Sequence, residues 1–415
     1  MAARLTTDYF HADRRPRLHC FAPASATGFD VDYQTTGARC TEAGMKIAQI
    51  IDTLNWGGAQ KMMTALTREL LAHGVEVVIF SLESDTDPSA VFLLQLRQMG
   101  VEVCLCPGHG LLNFTRVQRL AQKLRDGHFD LVQTYLTYSN ILGAMAGRLA
   151  RIPVIASIRS AAVDPRHYNP LRFHLESLSL RFLARGILVN GYSIAEFHAP
   201  RVGKIPVRVI PNAVSLPPRP TAEERQQARR DLIGARNGPL IISVGRLSHA
   251  KGYPDLIDAF AALLPDFPDA SLALVGSGEM ETVLRDHVES LGLRESVFLT
   301  GARQDIPPLL TASDLYVSAS HWEGMSVALL EGMAAGLPIV ATYVGDAPYM
   351  VTRETGTLVA PRAPEELSHA MRVLLENPSL MQRLGQAARQ RVAEHYNAAT
   401  WAQTFIDYYC EMIGK

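Results

Sequence analysis

The sequence predicts an α/β protein built from two Rossmann-like domains, each a parallel sheet covered by helices. Two observations support this fold class. Short apolar runs alternate with amphipathic segments twice along the chain, and a polar and proline-rich stretch separates the two series. Parallel strands that are buried on both faces are typically continuous apolar runs, as these are.

The first series begins at residue 45. Its expected strands are 46–51, 76–81, 101–106 and 131–134, and its expected helices are 59–72, 88–99 and 114–126. The residues before it show no clear apolar period. We interpret 1–44 as a disordered extension or as a start assigned too early, with an ordered arm as the alternative.

The order breaks after residue 209, where Pro217, Pro218 and Pro220 mark a linker. A second series follows, with expected strands at 240–244, 271–275, 297–300, 315–318 and 338–341. We therefore expect an N-terminal domain over 45–215, a C-terminal domain over 216–399 and a hinge near 215. Because ligands of such sheets bind outside the carboxyl ends of the strands, two facing domains would form a cleft.

Composition and charge exclude several classes of protein. The net charge of the 415-residue chain is −1, which argues against a dedicated nucleic-acid binder. Residues 45–215 hold 18 basic and 12 acidic residues (+6), whereas 216–415 hold 17 and 24 (−7). Five cysteines are too few for a disulfide scaffold and fit no zinc spacing. We find neither a membrane-spanning stretch nor a secretory signal, so we expect a cytoplasmic protein.

Two glycine-containing turns suit a diphosphate. The strand at 240–244 runs into Gly245 and Arg246, with Lys251 five residues later, and these cations can grip phosphate oxygens. In the first domain, Gly57 and Gly58 expose backbone N–H groups at the start of a helix. Solvated cations and an ordinary tight turn are the alternatives. Gly276 also follows a strand, but Glu281 stands where a dinucleotide fingerprint needs its third glycine.

The most informative segment runs from 320 to 338 and carries two glutamates. Glu323 lies on a loop, Ser326 is a suitable N-cap, and Glu331 falls within the apolar helix that follows. A carboxylate in apolar surroundings is costly unless it is hydrogen-bonded, and vicinal sugar hydroxyls are suitable donors. A single polar position on a helix face and an acidic residue favoured by the helix dipole are the alternatives.

These motifs together resemble retaining glycosyltransferases of the family 4 type. The resemblance rests on Glu323-x7-Glu331, the Arg246–Lys251 segment, Gly57-Gly58 and the run from Val209 to Val214, and covers about residues 45–410. It implies the GT-B fold, a nucleotide-sugar donor as substrate, and no metal or other cofactor. It also implies that the last helix, 400–413, packs back on the first domain.

The resemblance implies a role for each site residue. Arg246 and Lys251 would neutralise the donor diphosphate with help from Gly57 and Gly58, and Glu331 would hold the ribose hydroxyls. Glu323 would contact the transferred sugar. The backbone at Gly324, Met325 and Ser326 would close on sugar and phosphate. The loop that contains Arg303 and Gln304 would line the base, and Gly276 is also assigned to the substrate site. Retention is attributed in this family to front-face attack, with the acceptor hydroxyl deprotonated by the departing phosphate.

Two departures from the family pattern concern the acceptor side and the sugar-facing loop. Tyr135 and Tyr138 stand where family members often carry His, and we assign Tyr135 to the substrate site. The run Gly345-Asp346-Ala347-Pro348-Tyr349 stands where members often read Gly-Gly-x-Pro-Glu. These changes are compatible with an altered donor or a relative that only binds its ligand.

The acceptor is expected on the first domain. A helix beginning at Pro170, with Asn169 as its N-cap and Gly186 as its stop, carries Leu171, Leu175, Leu178 and Phe182 on one stripe. Core packing is one interpretation of this stripe. The alternative is docking of the basic segment 148–185 on an anionic membrane surface that presents a lipid-linked acceptor. The leading functional hypothesis is a hexosyltransferase of cell-surface polysaccharide synthesis that uses a UDP- or GDP-sugar and a glycan or lipid-linked acceptor. A nucleotide-sugar epimerase and a non-catalytic nucleotide-sugar binder are the alternatives.

Overall fold

The structure is a computed structural model that describes residues 44–55, 57–83, 91–108, 113–160 and 169–414. Almost all of the predicted N-terminal extension, residues 1–43, lies outside these ranges. The described chain contains two parallel sheets, so the predicted α/β class with two Rossmann-like domains is confirmed.

The first sheet has seven parallel strands in the order β3-β2-β1-β4-β5-β6-β7. Its strands are β1 (Lys46–Ile51), β2 (Glu76–Ser81), β3 (Glu102–Leu105), β4 (Leu131–Tyr135), β5 (Val154–Ile158), β6 (Gly186–Val189) and β7 (Val207–Val209). The order reverses between β1 and β4, which is where open α/β sheets form their ligand crevice.

The second sheet has six parallel strands in the order β10-β9-β8-β11-β12-β13. Its strands are β8 (Leu240–Val244), β9 (Ser271–Val275), β10 (Val297–Leu299), β11 (Leu315–Ser318), β12 (Ile339–Thr342) and β13 (Gly356–Val359). Here the order reverses between β8 and β11, so both sheets place a crevice at their carboxyl edge. The predicted hinge near 215 falls between the two sheets.

The described residues contain fifteen α-helices, of which the last three follow the final strand. Those of the first domain are α1 (Gly58–Ala72), α2 (Val91–Gln98), α3 (Phe114–Asp126), α4 (Thr137–Ala150), α5 (Pro170–Leu183) and α6 (Tyr192–Val202). The others are α7 (Ala222–Ile233), α8 (Tyr253–Leu263), α9 (Glu281–Ser290), α10 (Ile306–Ala312), α11 (Val327–Ala334), α12 (Ala347–Met350), α13 (Pro364–Leu375), α14 (Pro378–His395) and α15 (Ala398–Ile413).

The local predictions agree with these elements to within two residues, with two exceptions; the strand expected at 101–106, for example, is observed as Glu102–Leu105, which pair with β2. The expected helix 88–99 is observed as α2, with residues 88–90 outside the described ranges. Gly186 was expected to end a helix, but α5 ends at Leu183 and Gly186 opens β6, where it pairs with Ile155 of β5.

The last helix crosses back to the first domain, as predicted. The buried side chains of Trp401, Phe405 and Tyr409 join the core formed by β1, α1 and β4. The indole Nε1 of Trp401 donates to the carbonyl oxygen of Pro211 (2.7 Å), and the Tyr409 hydroxyl donates to Gln133 Oε1. The end of the chain therefore completes the apolar core of the domain in which the chain begins.

None of the helices that the structure describes is both long enough and apolar enough to span a membrane.

Candidate functional site

Glycines let the turns after β8 and β9 pack directly on each other at the carboxyl edge of the second sheet. Gly276 has a φ of +148°, and a Cβ there would lie 1.9 Å from the carbonyl oxygen of Gly245. The backbone N–H of Gly276 donates to the carbonyl of Gly301, which follows β10. Only glycine fits this position, and the contact brings Arg246 to the same edge as the loop after β11.

The loop after β11 carries Glu323 against Lys251. Lys251 Nζ donates to Glu323 Oε2 at 2.7 Å, and the Ser320 hydroxyl donates to the same oxygen at 3.3 Å. Both charged side chains are about four-fifths buried, with exposed fractions of 18% and 21%. The structure thus brings together the two residues assigned to the diphosphate and to the sugar.

Glu331 is paired with a cation that the sequence did not single out. Its carboxylate accepts a hydrogen bond from Lys61 Nζ, which lies in the first helical turn of α1 and therefore belongs to the opposite domain. The Glu331 side chain is 17% exposed and that of Lys61 is 42% exposed. As predicted, Glu331 lies in a short apolar helix, α11, whose N-cap is Ser326, the hydroxyl of which accepts from the N–H of Leu329.

Arg246 is the most accessible cation of the group. Its Nε lies 3.3 Å from Glu279 Oε2, and its side chain is 75% exposed. Each of the three cations Lys61, Arg246 and Lys251 therefore faces a carboxylate in the absence of a ligand. A ligand that brings both negative charge and hydroxyl groups can pair with the cations and the carboxylates together.

The backbone after Glu323 is in contact with the first domain. The Asn212 side-chain amide donates to the carbonyl of Met325 (3.1 Å), and Arg159 Nη2 donates to Asn212 Oδ1 (2.9 Å). A Cβ at Gly324 would lie 3.0 Å from Cδ1 of Ile194, so the loop has no spare room on that side. We call residues 320–326 the donor loop.

A second contact between the domains involves the segment that departs from the family pattern. The carboxylate of Asp346 accepts from the backbone N–H groups of Tyr192 (2.8 Å) and Ser193 (2.9 Å) and from the Ser193 hydroxyl. Tyr349 stacks on Tyr192 with ring centroids 4.8 Å apart. Burial raises the pKa of Asp346, and its hydrogen bonds to Ser193 and Tyr192 oppose that rise.

The three predicted site residues of the first domain differ in accessibility. Gly57 and Gly58 are exposed at the start of α1. Tyr135, at the end of β4, is buried beneath the Arg159 guanidinium, which lies 5.9 Å from the ring centroid. Its hydroxyl has no hydrogen-bond partner among the described residues, so its assignment to the substrate site stays a prediction.

Asp52 is a buried acid at the carboxyl end of β1. Its carboxylate accepts from the backbone N–H groups of Tyr138 (3.1 Å) and Ser139 (2.6 Å) at the start of α4, and from the Ser139 hydroxyl (2.7 Å). Burial raises its pKa to about 6, although these hydrogen bonds oppose the rise. Asp52 therefore caps α4 inside the first domain, much as Asp346 caps α6 across the cleft.

The loop assigned to the base contains Arg303 and Gln304. Arg303 makes a bidentate pair with Asp305 (2.8 and 2.5 Å), and this hydrogen bonding holds the pKa of Asp305 below its usual value. Gln304 is exposed. Among the described residues no group of three or more His, Cys, Asp or Glu side chains is arranged to hold a metal ion.

The apolar stripe of α5 faces outward instead of packing in the core. Leu171, Leu178 and Phe182 are 65%, 40% and 73% exposed. The opposite face is buried, with Leu180 in the apolar core and Glu176 in an ion pair with Arg201 (2.6 Å). The interpretation of these three side chains as core residues is therefore wrong, because the helix uses its other face for packing.

Sequence reasoning missed Lys61 and Asp346 as parts of this site. A signal for Asp346 was present, since it replaces a glycine of the family pattern, and Gly191 at the start of α6 has no side chain to cap that helix. Lys61 had no comparable signal, because its proximity to Glu331 exists only after the domains meet.

Two family models match the chain in consecutive segments. The model described as Glycosyltransferase Family 4 matches residues 56–216, and the model described as Glycosyl transferases group 1 matches residues 224–391. The first segment contains Gly57, Gly58 and Lys61, and the second contains Arg246, Lys251, Glu323 and Glu331.

Several curated proteins are similar over most of their length. The chain is 26% identical to UDP-Gal:alpha-D-GlcNAc-diphosphoundecaprenol alpha-1,3-galactosyltransferase of Escherichia coli, over 71% of this chain and 78% of that protein. It is 28% identical to 2-deoxystreptamine glucosyltransferase of Streptomyces kanamyceticus, over 69% and 78%. It is 23% identical to D-inositol 3-phosphate glycosyltransferase of Corynebacterium glutamicum, over 84% and 89%.

Solved structures show the same fold. The Anabaena protein Alr3699/HepE, solved in complex with UDP, superposes with a TM-score of 0.78 at 21% identity, over 88% of this chain and all of that one. Sucrose-phosphate synthase from Thermosynechococcus elongatus gives 0.75 at 21% identity, over 89% and 99%. These neighbours confirm the GT-B fold that the sequence predicts.

Proposed function

Because the two family models and the GT-B fold support a glycosyltransferase, we propose that this chain moves a hexosyl unit from a UDP- or GDP-sugar to a glycan or lipid-linked acceptor. We propose further that the anomeric configuration is retained and that no metal ion is needed. The observation that carries the proposal is the pairing of Lys251 with Glu323 and of Lys61 with Glu331 at the facing edges of the two sheets.

The three cation–carboxylate pairs match the chemistry of a nucleotide-sugar. A diphosphate supplies negative charge for Arg246, Lys251 and Lys61, while ribose and sugar hydroxyls supply donors for Glu331 and Glu323. A ligand with only one of these features would leave charged groups without partners, which is costly in half-buried positions. The UDP and UDP-glucose bound to the Anabaena protein are ligands of this kind.

The same residues suit the charge that develops as the glycosidic bond breaks. The sugar becomes oxocarbenium-like while negative charge grows on the diphosphate that leaves. Arg246, Lys251 and the N–H groups at the start of α1 would stabilise that leaving group electrostatically. We propose that its oxygen takes the proton of the attacking acceptor hydroxyl, so no further base is required of the protein.

The test is turnover with defined donors and an acceptor. The protein is incubated with UDP-glucose, UDP-galactose or GDP-mannose, a diphosphate-linked lipid carrying N-acetylglucosamine, and EDTA. Released nucleoside diphosphate is followed by a coupled assay, and the anomeric coupling constant of the product is read by NMR. We expect release that depends on the acceptor, an α-linked product from these α-donors, and loss of release in Glu323→Gln and Lys251→Met.

The alternative functions give different results in the same experiment. An epimerase would convert the donor sugar with no dependence on the acceptor, and a binding protein would give no turnover while still binding the nucleotide. A product of inverted configuration would contradict the retaining mechanism and leave the transferase proposal standing.

We further propose that α5 docks the enzyme on an anionic lipid surface where a lipid-linked acceptor is held. The exposed apolar side chains of Leu171, Leu178 and Phe182 have Arg172, Arg181 and Arg185 near them. Such a combination favours shallow insertion of the apolar side chains with the cations among anionic headgroups.

Co-sedimentation with vesicles of phosphatidylglycerol and phosphatidylcholine tests this surface. We expect binding that weakens with salt and is lost in the double variant Leu171→Ser/Phe182→Ser, while the control Val373→Ser, on the exposed face of α13, binds like the wild type. Equal binding of both variants, or no binding at low salt, would contradict the proposal.

A further inference from the structure

We propose that Asp346 and Tyr349 are positioning residues that fasten the donor loop to the first domain and so set the geometry of transfer. Both residues belong to the segment 345–349, which departs from the Gly-Gly-x-Pro-Glu pattern of similar enzymes. The expected effect on kcat rests on the proposed function, whereas the expected effect on the contact between the domains does not.

The first argument is that a helix of the first domain lacks a capping side chain of its own and that the second domain supplies one. Helix α6 begins after Gly191, which has no side chain, so the N–H groups of its first turn have no cap from their own segment. Asp346 supplies that cap from the other domain through the N–H groups of Tyr192 and Ser193. A Cβ at position 191 would lie 2.3 Å from Asp346 Oδ2, so the glycine admits the carboxylate.

The second argument is that Tyr349 contacts the same helix independently. Its ring stacks on that of Tyr192, with ring centroids 4.8 Å apart. An aspartate and a tyrosine three residues apart on one domain therefore both meet the first turn of one helix on the other. We call this set of contacts the cross-domain cap.

The third argument connects the cross-domain cap to the reacting groups. The backbone N–H of Asp346 donates to the carbonyl of Gly324 (3.0 Å), the residue that follows Glu323 in the donor loop. On its other side Gly324 faces Ile194 of α6. The donor loop is thus held between the segment that carries Asp346 and the helix that Asp346 caps, so opening of the domains would remove α6 from Gly324 while the bond between Gly324 and Asp346 inside the second domain remains.

The contacts that bind the nucleotide in the proposed function lie elsewhere. Arg246, Lys251 and Glu331 make no hydrogen bond to Asp346 or Tyr349 among the described residues. Loss of the cross-domain cap should therefore lower kcat more than it weakens binding of a nucleoside diphosphate, which would lose only the contacts of Gly57, Gly58 and Lys61 across the cleft. Loss of a residue that merely stabilised the fold would lower the melting temperature, but it would not lower kcat more than the affinity for nucleotide.

The experiment combines kinetics with small-angle X-ray scattering of the full chain. In Asp346→Ala/Tyr349→Ala we expect kcat to fall about 30-fold, because several hydrogen bonds to a charged acceptor are lost, while the Kd for UDP rises by about tenfold at most, the loss expected for the backbone contact at Gly58. The radius of gyration of the unliganded variant should exceed that of the wild type. Asp346→Asn keeps one of the two acceptor oxygens for α6 but places an amide NH2 against the donor that the other oxygen served, so it should recover only part of the kcat.

Asp130→Ala is the matched control. Asp130 accepts from the N–H of Lys46 (2.9 Å) inside the first domain, so its removal costs a similar hydrogen bond without joining two domains. We expect an unchanged kcat and radius of gyration there. An unchanged radius of gyration in the double alanine variant, or a parallel loss of UDP affinity and kcat, would overturn the inference. Failure of the wild type to turn over would refute the proposed function instead, since the scattering comparison still decides whether the domains are fastened.

Discussion

The most direct prediction concerns Glu331, which faces Lys61 across the cleft and is assigned to the ribose. The perturbation is Glu331→Gln, which keeps the shape of the side chain and removes its charge. Hydrogen bonds from ribose hydroxyls to a charged acceptor contribute about 1.5–3 kcal/mol, against about 0.5–1.5 kcal/mol for a neutral one. The variant should therefore bind a nucleoside diphosphate more weakly.

The ion pair of the unliganded protein reduces this effect. Ribose must displace Lys61, but the Lys61 side chain is 42% exposed, and pairs with so exposed a partner are worth about 0–1 kcal/mol. With two ribose hydroxyls each losing about 1–1.5 kcal/mol, the net loss in Glu331→Gln is then about 1–3 kcal/mol, which corresponds to about 5- to 150-fold in Kd. The diphosphate contacts of Arg246 and Lys251 are untouched, so binding should remain measurable.

The assay is calorimetric titration of UDP, GDP and ADP in the presence of EDTA. The nucleotide that binds the wild type is then titrated into Glu331→Gln, Lys61→Met and the control Glu289→Gln, whose side chain makes a surface pair with Arg294 in a different part of the second domain. We expect the control to match the wild type and Lys61→Met to differ by threefold or less. A Kd in Glu331→Gln within twofold of the wild type would refute the ribose assignment.

Three further predictions address the backbone at the diphosphate, a buried acid and the last helix. A Cβ at position 58 would have no atom within 4 Å, so Gly58→Ala should leave the melting temperature unchanged. If the diphosphate approaches this backbone, the Kd for nucleotide should rise about tenfold, and an unchanged Kd would contradict that approach. Because the pKa of Asp52 is raised to about 6, the native state binds more protons than the unfolded state between about pH 4 and 6, and stability falls as pH rises through that window. Urea unfolding should show Asp52→Asn gaining about 1 kcal/mol relative to the wild type between pH 5 and 7.5, and no relative gain would exclude the buried charge as the cause. Phe405→Ala should lower the free energy of unfolding by about 3–5 kcal/mol, whereas Val373→Ala, which is 41% exposed, should change it by less than about 1 kcal/mol in the same urea experiment.

The elements of the fold were largely predictable because they depend on local patterns. Continuous apolar runs between polar turns identify buried parallel strands, so Lys46–Ile51 and Leu240–Val244 were predicted to the residue. N-cap residues likewise predicted where helices begin, since α5 starts directly after Asn169 and α11 directly after Ser326. The prediction that Gly186 ends a helix was wrong, because a glycine that begins a strand cannot be told from one that ends a helix by sequence alone.

The burial of side chains was less predictable than their secondary structure. The stripe of Leu171, Leu178 and Phe182 has the spacing of a core face, yet α5 buries Glu176 and Ser179 instead. The periodicity of apolar residues shows that a helix has two different faces. It does not show which face packs against the sheet when an ion pair can neutralise the charged side chains on the polar face.

The sequence alone therefore determined the two sheets and the turns rich in glycine at their edges, and it predicted Arg246, Lys251, Glu323 and Glu331 as one group. Each of these follows from residues close together in the chain or from a pattern that recurs in similar proteins. Only the tertiary structure decided which groups meet across the cleft: Lys61 with Glu331, and Asp346 with the start of α6. Those pairs are separated by 270 and by 154 and 153 positions in the chain. No local rule connects residues so far apart, because their proximity arises only when two separately folded sheets bring their carboxyl edges together.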